Sequence, residues 1–529
     1  MDSNTLFFGP WSAAPRDEEL VDIRHHGSPV LRGLRAVVRN HNWLTLTPTV
    51  LSARTSESPG FLELVLDVGW GGLGARYAGE VTYRFEPDGL SVAFRGTAVE
   101  DFSSNRIGLV VLHRPDDAGT AVTVTDPDGG TTVSVFPERI SPHQPFKDIA
   151  AMSWEREGMS YRLDFEGDVF ETEDQRNWTD ASLKTYSTPL SKPFPAHYRA
   201  GDEVRQSIRL SARHCVRVLD EVAGQVPELG ATILAEISSS PSAASCTVSA
   251  SAAGERAASL KQSLDARIVS DSADDAVGLV RQLPLDSVRR LGVYSAGTHV
   301  TEKELWDAVA GEAGTLGFQG ELVAGARSHF TELNRNPGSA VPEAAGITYS
   351  ITPQMHAVET EAILETLPMQ RLTADEALRI GNGRSLHIGP ITLAPRFNAV
   401  ATEPPTAAEL TPGGAPEPSP FAAAWLLGSI AALSIPGVAS LNYGDLAEPE
   451  PARHLLQQLA VLQGRDVLQA SGSTEIAVYP VRTGDRTRCF VANLTARAVV
   501  VRLSAPGDSP GAGQDLELSA WQTATVQLP

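Results

Sequence analysis

LGVYSAGTHVTEKELWDAVAGEAGTLGFQGELVAGA, from Leu291 to Ala326, is the stretch that decides the architecture. LGVYS is a short apolar run, the segment after it has helical periodicity, and ELVAGA from Glu321 is apolar again. Strand, helix and strand in that order make one unit of a parallel sheet. Thr301 and Glu304 have capping-box spacing, which places the predicted helix start there.

The same alternation extends on both sides. ATILAEI (from Ala231), LDARIV (from Leu264), GITYSIT (from Gly346), SLHIGPITL (from Ser385) and VASLNY (from Val438) bring the count to seven strands, with no obvious eighth. Helical patterns between them, such as DSADDAVGLVRQL, predict a parallel sheet as an open or closed (β/α) barrel, TIM-type if closed. Up to about Ala212 the period is two, as in FLELVLDV (from Phe61) and EVTYRFE (from Glu80). Turn clusters such as PDGG at Pro127 separate these runs, which predicts a β-sandwich. Beyond the helical PARHLLQQLAVLQG (Pro451 to Gly464), strands such as TEIAVYPVR and RCFVANLT return. The predicted organisation is multidomain β and α/β: an N-terminal β-sandwich over 1–215, a central barrel over 216–463 and a small C-terminal β-sandwich over 464–529. The segment from Ala401 to Pro420, rich in Pro, Ala and Gly, follows a barrel strand and is expected to act as a lid on the C-terminal face.

At 529 residues the chain is too long for one core, and 42% hydrophobic with 20% charged residues is ordinary for a folded protein. A formal net charge of −21 repels phosphate backbones and anionic lipid, so neither nucleic acid nor a membrane is an expected partner. Cys215, Cys246 and Cys489 lack the spacing of a disulfide framework or zinc site. His356 with Glu359, and His25 with His26, lack a third ligand, so no metal is expected and no cofactor is implied. There is no basic, apolar leader and no bilayer-spanning run, which suggests a cytoplasmic compartment. The N-x-T matches at Asn177 and Asn493 are then irrelevant. Oligomeric state has no signature in the sequence.

Two motifs match by letter and fail physically. Gly69-Trp70-Gly71-Gly72-Leu73-Gly74 fits a dinucleotide fingerprint, but ARYAGEVTYRFE follows it as a strand, so a hairpin is expected rather than a phosphate-binding helix. Gly507-Asp508-Ser509-Pro510-Gly511 fits a nucleophile elbow, yet Pro510 has no N–H to offer an oxyanion.

Polar chemistry concentrates just past predicted strand ends, where barrel active sites are built. Arg327 to Arg335 contains His329, Glu332 and Asn334; Pro353 to Glu359 contains His356 and Glu359; Asn442 to Asp445 ends on an acid. Glu332 and Asp445 are the candidate catalytic pair, able to serve as acid and base. Against this, Glu332 could simply sit at a helix N-terminus, and Asp445 in a turn. In the sandwich, FETEDQRNWTDASLKTY (Phe170 to Tyr186) carries Asp174, Arg176, Asn177, Trp178, Asp180, Lys184 and Tyr186. This stretch reads either as a solvated, salt-bridged loop or as an arm that reaches the barrel mouth and stacks on a sugar. His113, His143 and Lys147 read as structural.

These stretches resemble the D-apionate lactonase family of bacterial apiose breakdown. The likeness is carried by FETEDQRNWTDASLKTYSTPL (Phe170 to Leu190), FTELNR (Phe330 to Arg335), SITPQMHAVE (Ser350 to Glu359), ITLAPRFN (Ile391 to Asn398) and AAWLLGSIAAL near Trp425. The resemblance implies a sandwich, a barrel and a C-terminal β-domain acting as a hydrolase on a sugar-acid lactone. It adds Arg396 and Asn398 to the substrate-binding candidates. The sequence departs from the family pattern at Tyr443-Gly444-Asp445, where an acid preceded by two aromatics is expected, and at Glu359, in place of an aspartate.

Three functions compete. In a lactonase, Glu332 would activate water while Lys184, Arg176 or Arg396 steadies the oxyanion. In a glycoside hydrolase, Glu332 would be the acid/base and Asp445 the nucleophile. A carbohydrate-binding protein results if the departures disable the site. The expected ligand in each case is a small carbohydrate or sugar lactone.

Overall fold

Alternation in FLELVLDVGW buries Leu62, Leu64, Leu66, Val68 and Trp70 on one face of the strand Phe61–Gly72, while the residues between them stay half-exposed. A computed structural model of the chain describes residues 5–230, 232–242, 246–396, 420–444, 450–471, 473–508 and 512–529. Two compact units are formed, the first by Met1–Cys215 with Asp508–Gln514 and the second by Val216–Gly507 with Asp515–Pro529.

In the first unit, strands from Leu6–Phe8 to Ser28–Arg39 form a sheet with Arg106–Leu112, Leu183–Tyr186, Phe170–Asp174 and Phe146–Ile149. A second antiparallel sheet runs from Thr47–Ser58 through Ala75–Glu86 and Gly89–Ala98 to Met159–Glu166 and beyond. Leu20, Val38 and Leu109 from one sheet share a core with Leu66, Tyr83, Phe94 and Leu210 from the other, which makes the β-sandwich. Gly72 pairs with Ala75 across a hairpin, so the glycine-rich stretch is a turn between two strands.

The second unit holds a parallel sheet of eight segments. The first, Glu228–Leu229, pairs with the last, Val438–Leu441, and Thr232–Ile237 pairs with Ser263–Val269. Val288–Tyr294, Glu321–His329, Gly346–Ile351 and Ser385–Ile391 follow in order, so the sheet returns on itself as a barrel. The segment missing from the seven expected strands is thus a two-residue piece just ahead of the first. Helix Lys303–Thr315 begins one residue later than the capping box implies. Glu302 is its N-cap, and the Thr301 hydroxyl instead donates to the Val293 carbonyl. The strands Ile476–Thr483 and Arg486–Asn493 belong to this unit, and Tyr479 and Phe490 share a core with Leu433 of helix Pro420–Leu433.

Strand parity sends Leu264, Ala266 and Ile268 out toward the helices and turns Asp265 and Arg267 into the barrel lumen. Arg290, Thr348, His387 and Ser440 alternate in the same way on their strands. The lumen is therefore lined by charge rather than by the branched aliphatic layers usual for this fold. Arg290 reaches Asp265 Oδ2 at 3.0 Å and Glu228 Oε1 at 2.9 Å, and Arg267 lies 3.3 Å from Asp265 Oδ1. Desolvation alone would raise the Asp265 carboxyl, but the two guanidiniums win and hold it below its ordinary value. Gly325, at φ +130°, approaches Thr348 so closely that a Cβ would lie 2.5 Å from that carbonyl oxygen. Only glycine lets the strand pass there before Arg327 enters the lumen. No helix among the described residues is long and apolar enough to cross a membrane.

Candidate active site at the barrel mouth

The C-terminal ends of the parallel strands converge on a second charged layer. Glu236, at the end of Thr232–Ile237, places Oε2 2.6 Å from Arg327 Nη2 and Oε1 3.2 Å from Arg396 Nη1. Arg396 Nη2 also donates to the Arg327 carbonyl at 2.8 Å. Burial pushes the Glu236 carboxyl up, but Arg396 and Arg327 more than offset this and leave it below the usual range. Glu236 is therefore a fixed anion that orients two cations.

Glu332 stands in the first turn of the short helix Phe330–Arg335 and accepts the Ser328 hydroxyl at 2.8 Å. Two histidines feel its charge. His329 is held below its ordinary value by burial, with Arg396 adding and Glu332 opposing. His299, just past the strand Val288–Tyr294, is lowered by burial and by Arg327, against Glu332, Glu236 and Asp271. Both imidazoles are consequently neutral near pH 7 and able to accept a proton. Asp271 accepts Ser295 Oγ at 2.7 Å. A cavity of about 490 Å³ opens beside Glu332, lined among others by His329, Phe330, Ser350, Met355, His356 and Gln370.

His329, Glu332 and His356 thus border one cavity, and Arg396 joins the ion layer at the same barrel end. Asn334 and Glu359 are exposed; the Glu359 carboxylate accepts the Val358 amide at 3.1 Å, next to helix Thr360–Ile380. Asp445 and Asn398, the 401–419 part of the expected lid, and Ser509 to Gly511 lie outside the described residues. Glu236 and His299 were not singled out by the sequence reading. The signal for Glu236 was an acid inside the apolar run ATILAEI, a position where strand parity allows only a paired charge. Among the described residues no group of three or more His, Cys, Asp or Glu is placed to hold a metal.

Within the sandwich unit the Phe170–Tyr186 stretch divides in two. Asp174 is buried, 2.7 Å from Arg176 Nη2, and Arg176 also donates to the carbonyls of Pro137, Glu138 and Arg139. Asn177 donates to the Ser141 carbonyl at 2.6 Å, so these three side chains stitch a turn to its neighbour. Trp178 is 73% exposed and Asp180 is exposed. Lys184 is buried 2.5 Å from Glu173, and burial pushes its amine down to about 8, Arg106 and Arg39 adding and Glu173 opposing. Tyr186 donates to Glu171 at 2.5 Å beneath the Arg106 guanidinium, 3.6 Å from the ring centroid. His113 is fully buried and bonded to Thr185.

A (β/α) barrel with an ion-lined lumen and a carboxylate flanked by neutral histidines at its C-terminal mouth has the form of a hydrolytic enzyme. Residues 1–215 match the N-terminal domain of D-apionate lactonase, and residues 213–481 match that family's TIM barrel domain. The chain belongs to the D-apionate lactonase family and is a hydrolytic enzyme. It is 26% identical to a D-apionate lactonase from Brucella anthropi over 462 residues, which is 72% of this chain and 71% of that protein. Among solved structures it is similar to a β-arabinopyranosidase at 9% identity and TM-score 0.30, covering 98% of this chain and 97% of that one. An α-galactosidase from Geobacillus stearothermophilus is similar at 10% identity and TM-score 0.28, covering 99% of each chain.

Proposed function

We propose that this protein opens a small, polyhydroxylated sugar-acid lactone, D-apionolactone-like, in carbohydrate catabolism. The observation that carries this reading is a carboxylate, Glu332, that lines the cavity together with His329 and whose charge acts on both His329 and His299. Glu332 takes a proton from water as the oxygen attacks the lactone carbonyl. Arg396, held by Glu236 at the same barrel end, is the cation we assign to the oxyanion that forms. Collapse of the tetrahedral intermediate breaks the ring C–O bond. The departing alkoxide takes the proton back from Glu332, leaving the hydroxy acid. Glu236, the other buried acid at this mouth among the described residues, is committed to two arginines, which leaves Glu332 as the carboxylate assigned to water.

The test is acid release, followed by pH-stat, across a panel of aldonolactones, alongside chromogenic aryl glycosides. Acid release from a lactone with no glycoside cleavage is the expected result. Glycoside cleavage without lactone opening would overturn the assignment.

A further inference from the structure

Helix Thr360–Ile380 buries the stripe Ile363, Leu367, Gln370, Ala374 and Ala377. Gln370 is the one polar residue in that stripe and is 3% exposed. Its Oε1 accepts the Ser429 hydroxyl at 2.6 Å, and Ser429 in turn accepts the Tyr443 hydroxyl at 3.0 Å. Tyr443 is buried, which raises its phenol well above the ordinary value and keeps the proton in place as a donor. The amide oxygen is used in this hydrogen-bonded chain, and Nε2 faces no partner. A buried N–H without an acceptor costs free energy that an apolar side chain at this position would avoid. Gln370 also lines the cavity that holds Glu332, His329 and Ser350. A second orphan lies on the same wall, because the buried Nε2 of His329 has no partner either.

Unpartnered ring and amide nitrogens, in a cavity that mixes Phe330, Met355 and Met369 with polar groups such as Ser350 and Thr373, suit a ligand with an apolar ring edge and several oxygens. We propose that Gln370 is a specificity-determining residue whose Nε2 donates to a hydroxyl or ring oxygen of the bound sugar lactone. This rests on the lactonase reading above. Ser429 and Tyr443 are its positioning residues, since they hold the amide oxygen and leave Nε2 to donate.

Gln370→Met removes the donor and leaves an apolar side chain of similar length in an apolar stripe. It also leaves the buried Ser429 hydroxyl without its acceptor, so a lower melting temperature is expected, with KM for the lactone raised about tenfold and kcat changed less. Gln370→Glu keeps an acceptor for Ser429 and offers a donor only while its carboxyl is protonated. The ratio of its KM to that of the wild type should fall as the pH is lowered, because a protonated carboxyl again offers a hydrogen. A purely structural glutamine would give no such pH signature. Unchanged KM in both variants overturns the inference. A wild-type protein that opens no lactone sinks the proposed function and this assignment together. Lactone opening with KM indifferent to Gln370 sinks this assignment alone.

Discussion

Nη2 of Arg327 lies 2.6 Å from Oε2 of Glu236, and neither side chain is more than 2% exposed. Ions this deep pay a desolvation penalty that only their partners return, so the pair reports on position more than on net stability. Glu236→Gln leaves Arg327 and Arg396 without their shared anion. The unfolding free energy should drop by about 3–5 kcal/mol, read from denaturant midpoints. An unchanged midpoint would mean that the arginines find other acids.

Arg176 reads as a structural staple of the sandwich, since it pairs with buried Asp174 and caps three backbone carbonyls. Arg176→Ala should cost roughly 2–3 kcal/mol in denaturant unfolding, through the carboxylate left behind. A ligand-binding arginine would instead leave stability intact and raise KM.

His113 gives a pH dependence with a defined sign. Burial drives its pKa from the ordinary 6.5 to about 3, so between those values the unfolded chain holds a proton that the folded chain lacks. Its contribution is complete above pH 6.5 and is lost as pH falls toward 3, at up to about 1.4 kcal/mol per pH unit. His113→Gln, which still offers Thr185 a polar partner, should flatten the loss of stability between pH 6.5 and pH 4.5 in denaturant titrations. A loss as steep as that of the wild type would place the acid sensitivity elsewhere.

Periodicity was enough for the fold. The two-residue rhythm of FLELVLDV points to a sandwich, and the helix-spaced runs around LGVYS to a parallel sheet. What escaped was short or cooperative. Glu228–Leu229 is too brief to show any period, and Thr301 fits a capping box yet spends its hydroxyl on Val293. The candidates just past strand ends, Glu332 and His329, could be picked out because barrel topology fixes where such ends face. Glu236, Arg327 and the lumen acids could not be ranked, because whether a charge in a strand is buried and paired depends on partners about 60 to 120 residues away. In FETEDQRNW the mixed polarity was visible, but its assignment to ligand contact was not. Asp174, Arg176 and Asn177 bond to one another and to the backbone of 137–141.

Glu332 is partly exposed and has a hydrogen bond from Ser328, so Glu332→Gln should fold with a melting temperature near that of the wild type. In a pH-stat assay on the best lactone substrate, this variant should lose about 10²- to 10⁴-fold in kcat, the share a positioned base supplies. Lactone opening by Glu332→Gln at the wild-type rate would contradict the assignment of water activation to this carboxylate.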